Sequence, residues 1–196
     1  VEVSGGSAAN TLAGLASLGG NGAYIGKVRN DTLGGVFHHD INAIGVDYRT
    51  PAATGGETTA RCLIFVTPDA QRTMQTYLGI SITLGPDDID ETAIKESQIT
   101  YLEGYLFDPP EAKQAFVKAA EIAHAAGRKV ALTLSDPFCV DRHRAEFMHL
   151  ISGHVDIVFA NEDETKSLFE VDDFDAALQQ MRGHCEIAAM TRSEKG

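Results

Sequence analysis

Apolar residues at Ala8, Leu12, Leu15 and Gly19 recur at helical spacing behind a glycine turn at 4–7, and small Ala and Gly between them allow close approach; a buried helix is predicted there. A short strand is expected at 23–26, followed by a helix over 32–44 with Asp31 as its N-cap and Gly45 at its end. From 48 to 84 the pattern shifts to β-branched residues and turn formers, with a strand at 61–67, a turn at Pro68-Asp69-Ala70 and a strand at 72–78: a hairpin-like β insert. From 89 onward the elements alternate, with helices at 89–96, 110–126 and 141–152 and strands at 99–103, 129–134 and 155–160. A last βα unit runs from 162 through 182 to a strand at 186–191. Such alternation predicts an α/β fold, a mostly parallel doubly wound sheet with flanking helices on both faces. The helix from Pro110 carries the firmest boundary signals: a capping box Asp108…Glu111, proline in its first turn and Gly127 beyond its end.

A β insert early in such a fold suggests a lid over a crevice at the carboxyl ends of the strands, where open α/β sheets bind ligands. At 196 residues and 43% apolar content, one main domain over 1–196 is expected, with the lid at about 48–84. The formal charge of −12 repels polyanions, so nucleic-acid binding is not expected, although placed arginines and helix N-termini still admit a small anion such as ATP. Three scattered cysteines suggest neither a disulfide framework nor a zinc site and fit a reducing compartment. No apolar run approaches the ~20 residues of a membrane span, and a cytoplasmic protein is expected. Val1 stands directly before a glycine turn that would normally follow a strand, and the last strand lacks a following element, so the sequence reads as a segment of a longer chain.

The turn Ser4-Gly5-Gly6-Ser7-Ala8-Ala9-Asn10 lets the backbone approach a ligand, with Asn10 able to donate and accept; taken alone, it is a tight turn into a packed helix. It is no dinucleotide fingerprint, since the third glycine and the later acidic residue are missing. The longer stretch GGSAANTLAGLASLGGNGAYIGKVRNDTLGG resembles the N-terminal signature of the ribokinase-like (PfkB) carbohydrate and nucleoside kinases. The resemblance implies that Gly5, Gly6 and Asn10 hold sugar or ribose hydroxyls, and departs from the family at Arg29-Asn30. Asn161-Glu162-Asp163-Glu164 is a capping box in its own right. The family's N-x-x-E motif implies for Asn161 and Glu164 a share in the Mg²⁺ and phosphate network, Glu164 reaching the metal through water. An arginine after a hairpin turn is ordinarily a solvated residue, but ARCLIFVTPDAQRTMQTYLG resembles a lid segment in which Arg72 would clamp the moving phosphate.

LTLSDPFCVDRHR and HVDIVFANEDET resemble the adenosine kinase branch of the family, which implies a nucleoside substrate. Tyr105 and Phe138 are then candidates to line a purine pocket, or else ordinary loop aromatics. Thr191 opens a segment similar to the family's T-x-G-x-x-G nucleotide loop, with Ser193 in place of the first glycine. The histidines form no catalytic pattern, Cys139 reads as packing, and Asp136 receives no role.

The resemblance thus implies ATP-dependent phosphorylation of a nucleoside 5′-hydroxyl, adenosine foremost, with ATP and Mg²⁺ as cofactors and a monomer or lid-paired homodimer as the assembly. The alternatives are a sugar kinase for ribose, fructose or a similar compound, a non-catalytic nucleotide- or metabolite-binding module, and, more remotely, a dinucleotide-dependent dehydrogenase. The G-A-G-D segment that supplies the family's catalytic base occurs nowhere in the 196 residues, so these residues alone are expected to bind but to transfer phosphate poorly.

Overall fold

The computed structural model describes residues 2–196, which fall into two compact units divided between Leu84 and Gly85.

In the first unit, helix α1 (Ser7–Ser17) leads into strand β1 (Gly22–Tyr24), helix α2 (Thr32–Ala43) and strand β2 (Val46–Tyr48). β1 and β2 pair in parallel, with Gly22 opposite Val46 and Tyr24 opposite Tyr48. The pattern had suggested no strand at 46–48; three residues after Gly45 are too few to show a period. Ala9, Val28, Ile41, Val46 and Tyr48 form the core, with Leu12, Ala16, Tyr24 and Phe37 packed on it. Tyr24, Phe37 and Tyr48 meet with ring centroids 5.2–5.8 Å apart in tilted or edge-on contacts, the arrangement that ring quadrupoles favour. The buried Tyr48 hydroxyl donates to the Gly26 carbonyl at 3.0 Å.

Asp31 caps α2 as expected, its Oδ1 accepting from Gly34 N at 2.8 Å. It also ties down the approach to the hairpin: Thr59 N donates to Asp31 Oδ2 at 2.9 Å and Thr59 Oγ1 to Oδ1 at 2.7 Å. Strands β3 (Arg61–Val66) and β4 (Arg72–Tyr77) form the hairpin as a separate antiparallel sheet, with Arg61 opposite Tyr77 and Val66 opposite Arg72. Its turn closes through Thr67 N to Gln71 O at 3.0 Å. Leu63, Ile64, Phe65, Val66 and Met74 on these strands are all exposed.

The second unit is built on four parallel strands in consecutive order: β5 (Ile99–Glu103), β6 (Lys129–Thr133), β7 (Ile157–Asn161) and β8 (Ile187–Thr191). Helix α3 (Glu91–Glu96), capped by Asp90, precedes them. The connecting helices are α4 (Pro110–Ala125), α5 (Pro137–His154), α6 (Glu162–Phe169) and α7 (Phe174–Met181). On α4 the residues Ala112, Ala115, Phe116, Ala119, Ala120 and Ala123 are buried, and the small size of the five alanines lets the helix lie close on β5 and β6. Val130, Ala131 and Leu132 are buried along β6, the unbroken apolar run of an interior parallel strand.

The structure departs from the sequence reading at three helix boundaries. α4 has no side-chain cap; Asp108 turns instead to Arg142 and His143, so tertiary ion pairing displaces the expected local capping box. α5 begins at Pro137, not near 141, because Asp136 caps it, accepting from Phe138 N at 2.8 Å and Cys139 N at 3.3 Å. The last expected helix is two: Glu170 adopts a left-handed conformation with φ 54° after α6, and Asp173 caps α7.

Candidate functional site

In the first unit, Gly6 stands at φ 116° and ψ 145°, a region open essentially to glycine, and its carbonyl accepts Asn10 N at 2.8 Å as α1 begins. Gly5, Gly6 and Asn10 are all solvent-exposed. A Cβ built on Gly5 would lie 3.9 Å from Asn10 Oδ1, so the carboxamide stands over the glycine backbone. The turn is anchored from behind: Ser4 Oγ donates to Asp40 Oδ2 at 2.6 Å, and this bond holds the Asp40 carboxyl below its ordinary range. Arg72 opens β4 beside the hairpin turn, exposed, and its guanidinium makes no ion pair among the described residues.

In the second unit, the carboxyl ends of the four strands gather the remaining candidates along one edge. β5 ends in Glu103 and passes into a 3₁₀ turn, Gly104–Phe107, that carries Tyr105. β6 leads through Ser135, at φ 68°, to Asp136 and to Phe138 in the first turn of α5. β7 ends at Asn161, the cap of α6, and Asn161 lies in register with Thr191 at the end of β8. Tyr105 and Phe138 are 51% and 71% exposed, which sets them apart from the buried core aromatics. Burial raises the Tyr105 phenol, and so do the charges of Asp136, Glu103 and Glu164.

Asn161 and Glu164 form the reciprocal box that their spacing predicted. Glu164 is buried, and burial together with the charges of Asp136, Asp163 and Glu103 lifts its carboxyl above the ordinary range despite the bond from Asn161. The residues fit a cation held through water: Glu164's oxygens already accept from Asn161, and the negative charge gathered around it favours a divalent ion nearby. Among the described residues there is no group of three or more His, Cys, Asp or Glu side chains able to hold a metal directly.

Glu103, Ser135 and Arg192 belong to this edge and escaped the sequence reading, and Asp136, to which the sequence assigned no role, belongs here too. Glu103 is buried, and the Ser135 hydroxyl donates to its carboxylate in a short bond. An acid closing an apolar strand just before a glycine was the available signal. Arg192 reaches Glu162 Oε2 at 3.3 Å and lies over the Phe174 ring at 4.7 Å. Ser193, where the resembled family has glycine, holds φ 52°, a left-handed conformation that few residues other than glycine adopt.

Two cavities lie away from these residues. One, about 400 Å³, is at the amino ends of β6–β8 and is lined by His124, His154, Asp156, His184 and Cys185 among others. The other, about 380 Å³, lies along α4 between Pro86 and Glu121. Both are shallow and open; the strand-end edge is the stronger candidate because it joins strand termini, helix N-termini and exposed rings. No helix among the described residues is long and apolar enough to cross a membrane.

Comparison with known proteins agrees on the family, while the relatives differ in the substrates their names give. A family profile described as pfkB family carbohydrate kinase matches residues 1–196. The chain is similar to the adenosine kinase from Sinorhizobium meliloti, at 55% identity and a TM-score of 0.95, covering 100% of this chain and 60% of that one. A probable sugar kinase from Rhizobium etli CFN 42 is similar at 52% identity, with a TM-score of 0.95 and the same shares of 100% and 60%. Among curated proteins, an ATP-dependent ribose-1-phosphate kinase from Halopiger xanaduensis is 29% identical over 168 residues, 85% of this chain and 52% of that protein. The chain thus spans 52–60% of the length of these relatives.

Proposed function

Because this chain belongs to the pfkB family of carbohydrate kinases, we propose that it forms the substrate-binding part of an ATP-dependent kinase that phosphorylates a nucleoside 5′-hydroxyl, adenosine foremost. In this reading Gly5, Gly6 and Asn10 hold ribose hydroxyls, the glycines giving close backbone approach and the carboxamide giving paired hydrogen bonds. The hairpin within 48–84 serves as a flap of a single catalytic domain, and Arg72 answers the charge on the transferring phosphoryl group. Thr191 and the turn after it contact ATP. Asn161 and Glu164 hold the water shell of Mg²⁺, whose chemistry is to neutralise phosphate charge.

The observation that supports a nucleoside is the pair Tyr105 and Phe138, large rings left half or more exposed where β5 and β6 end. A flat base would cover them, and a bare sugar would not. The likeness to the Sinorhizobium adenosine kinase agrees. A sugar substrate is the second reading, favoured by the Rhizobium etli relative described as a probable sugar kinase. Competition of adenosine against ribose and fructose for the protein decides between them: adenosine is expected to bind tighter by at least about tenfold, the worth of one buried ring contact. Equal binding of adenosine and ribose would remove the nucleoside assignment. Phosphotransfer by these 196 residues alone is expected at background level, since no G-A-G-D base segment is present in them.

A further inference from the structure

Asp108 lies just past the turn that carries Tyr105, and Arg142 and His143 lie one helical turn past Phe138. These three side chains close on one another. Arg142 donates from Nε to Asp108 Oδ1 at 3.1 Å and from Nη2 to Oδ2 at 3.0 Å, and His143 Nε2 lies 2.7 Å from Oδ1. The Arg142 bond, with help from His143, holds the Asp108 carboxyl below its ordinary range against the opposing effect of burial. A carboxylate only accepts, so Nε2 carries the proton and donates. The other ring nitrogen faces Lys113 Nζ at 3.2 Å and Glu146 Oε2 at 3.0 Å, and Lys113 itself reaches Glu146 Oε1 at 2.6 Å.

The backbone is bent to make this contact. His143 has φ −129° and ψ 23°, outside the helical region, in the middle of α5. An unbroken helix would keep all its hydrogen bonds, so the break needs a compensating gain, and the imidazole supplies it through two bonds, Nε2 to Asp108 and Nδ1 to either Lys113 or Glu146. The ring is 16% exposed and stands edge-on to Phe107 at 6.0 Å, which in turn stacks on Phe147 at 4.4 Å. Phe107 closes the same short turn that bears Tyr105.

Tyr105 and Phe138 are half or more exposed, so where their backbones stand weighs heavily in where their rings stand. The Asp108 ion pairs tie the turn bearing Tyr105 to α5, beside the Ser135–Glu103 and Cys139–Gly104 hydrogen bonds that join the two strand ends. Arg142 contributes a forked but exposed bond, whereas His143 is shielded and held through both ring nitrogens.

We infer that the Asp108–His143 bridge, backed by Arg142, is a positioning device that sets the gap between the Tyr105 and Phe138 rings and thereby selects a flat heteroaromatic group over a bare sugar. This rests on the nucleoside reading above.

The test measures adenosine and ribose affinities by calorimetry on the full chain and on three variants, each checked for native circular dichroism. His143→Ala is expected to weaken adenosine about tenfold while ribose changes less than about twofold, since a ring displaced by an ångström loses most of its stacking but leaves the Gly5–Gly6 turn untouched. His143→Gln, whose amide can still donate to Asp108, is expected to recover most of the loss. Arg142→Ala, which leaves the histidine bridge in place and serves if His143→Ala does not fold, is expected to shift adenosine affinity about threefold in the same direction. A purely structural tie would weaken both ligands alike or neither, and would show no rescue by glutamine; either result overturns the inference. A wild-type chain that does not prefer adenosine overturns the nucleoside reading, and this inference with it, before any variant is made. An adenosine-to-ribose affinity ratio in His143→Ala, or in Arg142→Ala where that variant stands in, that is unchanged from wild type overturns this inference alone.

Discussion

Asn161 and Glu164 hold each other across one turn: Asn161 Oδ1 accepts from Glu164 N at 2.9 Å, while Glu164 accepts from Asn161 N at 3.0 Å and from its Nδ2 at 2.7 Å. The box therefore serves the fold at the same time as it presents polar atoms at the end of β7. Removing the cap by Asn161→Ala is expected to cost about 1–2 kcal/mol, because the helix N-terminus loses its side-chain acceptor and the buried carboxylate one of its two donors. The pH dependence has a definite sign. Burial and the neighbouring acids raise the Glu164 carboxyl above its ordinary value of 4.5. The folded state then binds that proton more tightly than the unfolded one, and its stabilisation fades as pH rises from 4.5 through the raised value. In urea unfolding at several pH values, the stability advantage of wild type over Glu164→Gln should narrow across that window. A gap that widens with pH would contradict it.

Asp31 behaves in the opposite way. Burial works against its ionisation, but the backbone and hydroxyl of Thr59 and the amide of Gly34 outweigh that effect and hold the carboxyl below its ordinary 3.8. Its contribution is thus fully present above 3.8 and is lost as pH falls through the lowered value. Asp31→Ala strips a cap from α2 and leaves Thr59, 5% exposed, without its acceptor. A loss of about 2–4 kcal/mol is expected, and roughly half that for Asp31→Asn, which keeps one acceptor oxygen. Equal losses for the two variants, measured by thermal or urea unfolding at neutral pH, would show that the carboxylate charge and second oxygen contribute nothing.

Asp31 and Asn161 were legible before any coordinates because a cap is a local device, written within four residues. The parallel strands β5 to β8 were legible for a similar reason, since each is an apolar run between helical patterns. What escaped depends on distant partners. Asp108 looks like a cap in sequence, yet Arg142 and His143, 34 and 35 positions on, outcompete the local amides. β2 exists because Val46 and Tyr48 find β1 and the aromatic cluster, which no period over three residues reveals. Asp136 is a different case: an aspartate directly before a proline at the first helical position was a readable start signal, overlooked in favour of a turn. At the proposed site, the Gly5–Gly6 turn and the N-x-x-E box came from motif, whereas Glu103 and Ser135 came only from the strand ends meeting in space.

Cys139 offers a test of how closed the β6 edge is. It is 2% exposed, its Sγ lies 3.4 Å from the Gly104 carbonyl, and burial pushes its thiol up to about 11. Only the thiolate reacts, so alkylation of native protein at pH 8 should leave Cys139 unmodified while half-exposed Cys62 on the hairpin reacts. Peptide mass mapping would locate the label. Denaturant should release Cys139 in step with global unfolding, and early labelling in native buffer would mean that the segment between β6 and α5 opens locally.

Gly104 makes the strongest structural demand at this edge. A Cβ there would meet Thr133 O at 2.5 Å and Leu134 O at 2.8 Å, both backbone atoms of the neighbouring strand and its continuation. Neither can swing aside as a side-chain tip could, so Gly104→Ala must push β5 and β6 apart where they end. That separation would also move Glu103 from Ser135 and displace the turn bearing Tyr105. A destabilisation of about 2–4 kcal/mol is expected, in the range of overpacked core sites. Gly127→Ala, at the end of α4, is the control: its Cβ would meet nothing within 4 Å, and the only strain is its φ of 68°, so about 1 kcal/mol is expected. Urea midpoints for the two variants should therefore differ clearly, and adenosine affinity should fall in the first and stay level in the second. Equal midpoints would show that the β5–β6 edge yields without cost and that the close approach at Gly104 is not what sets this turn.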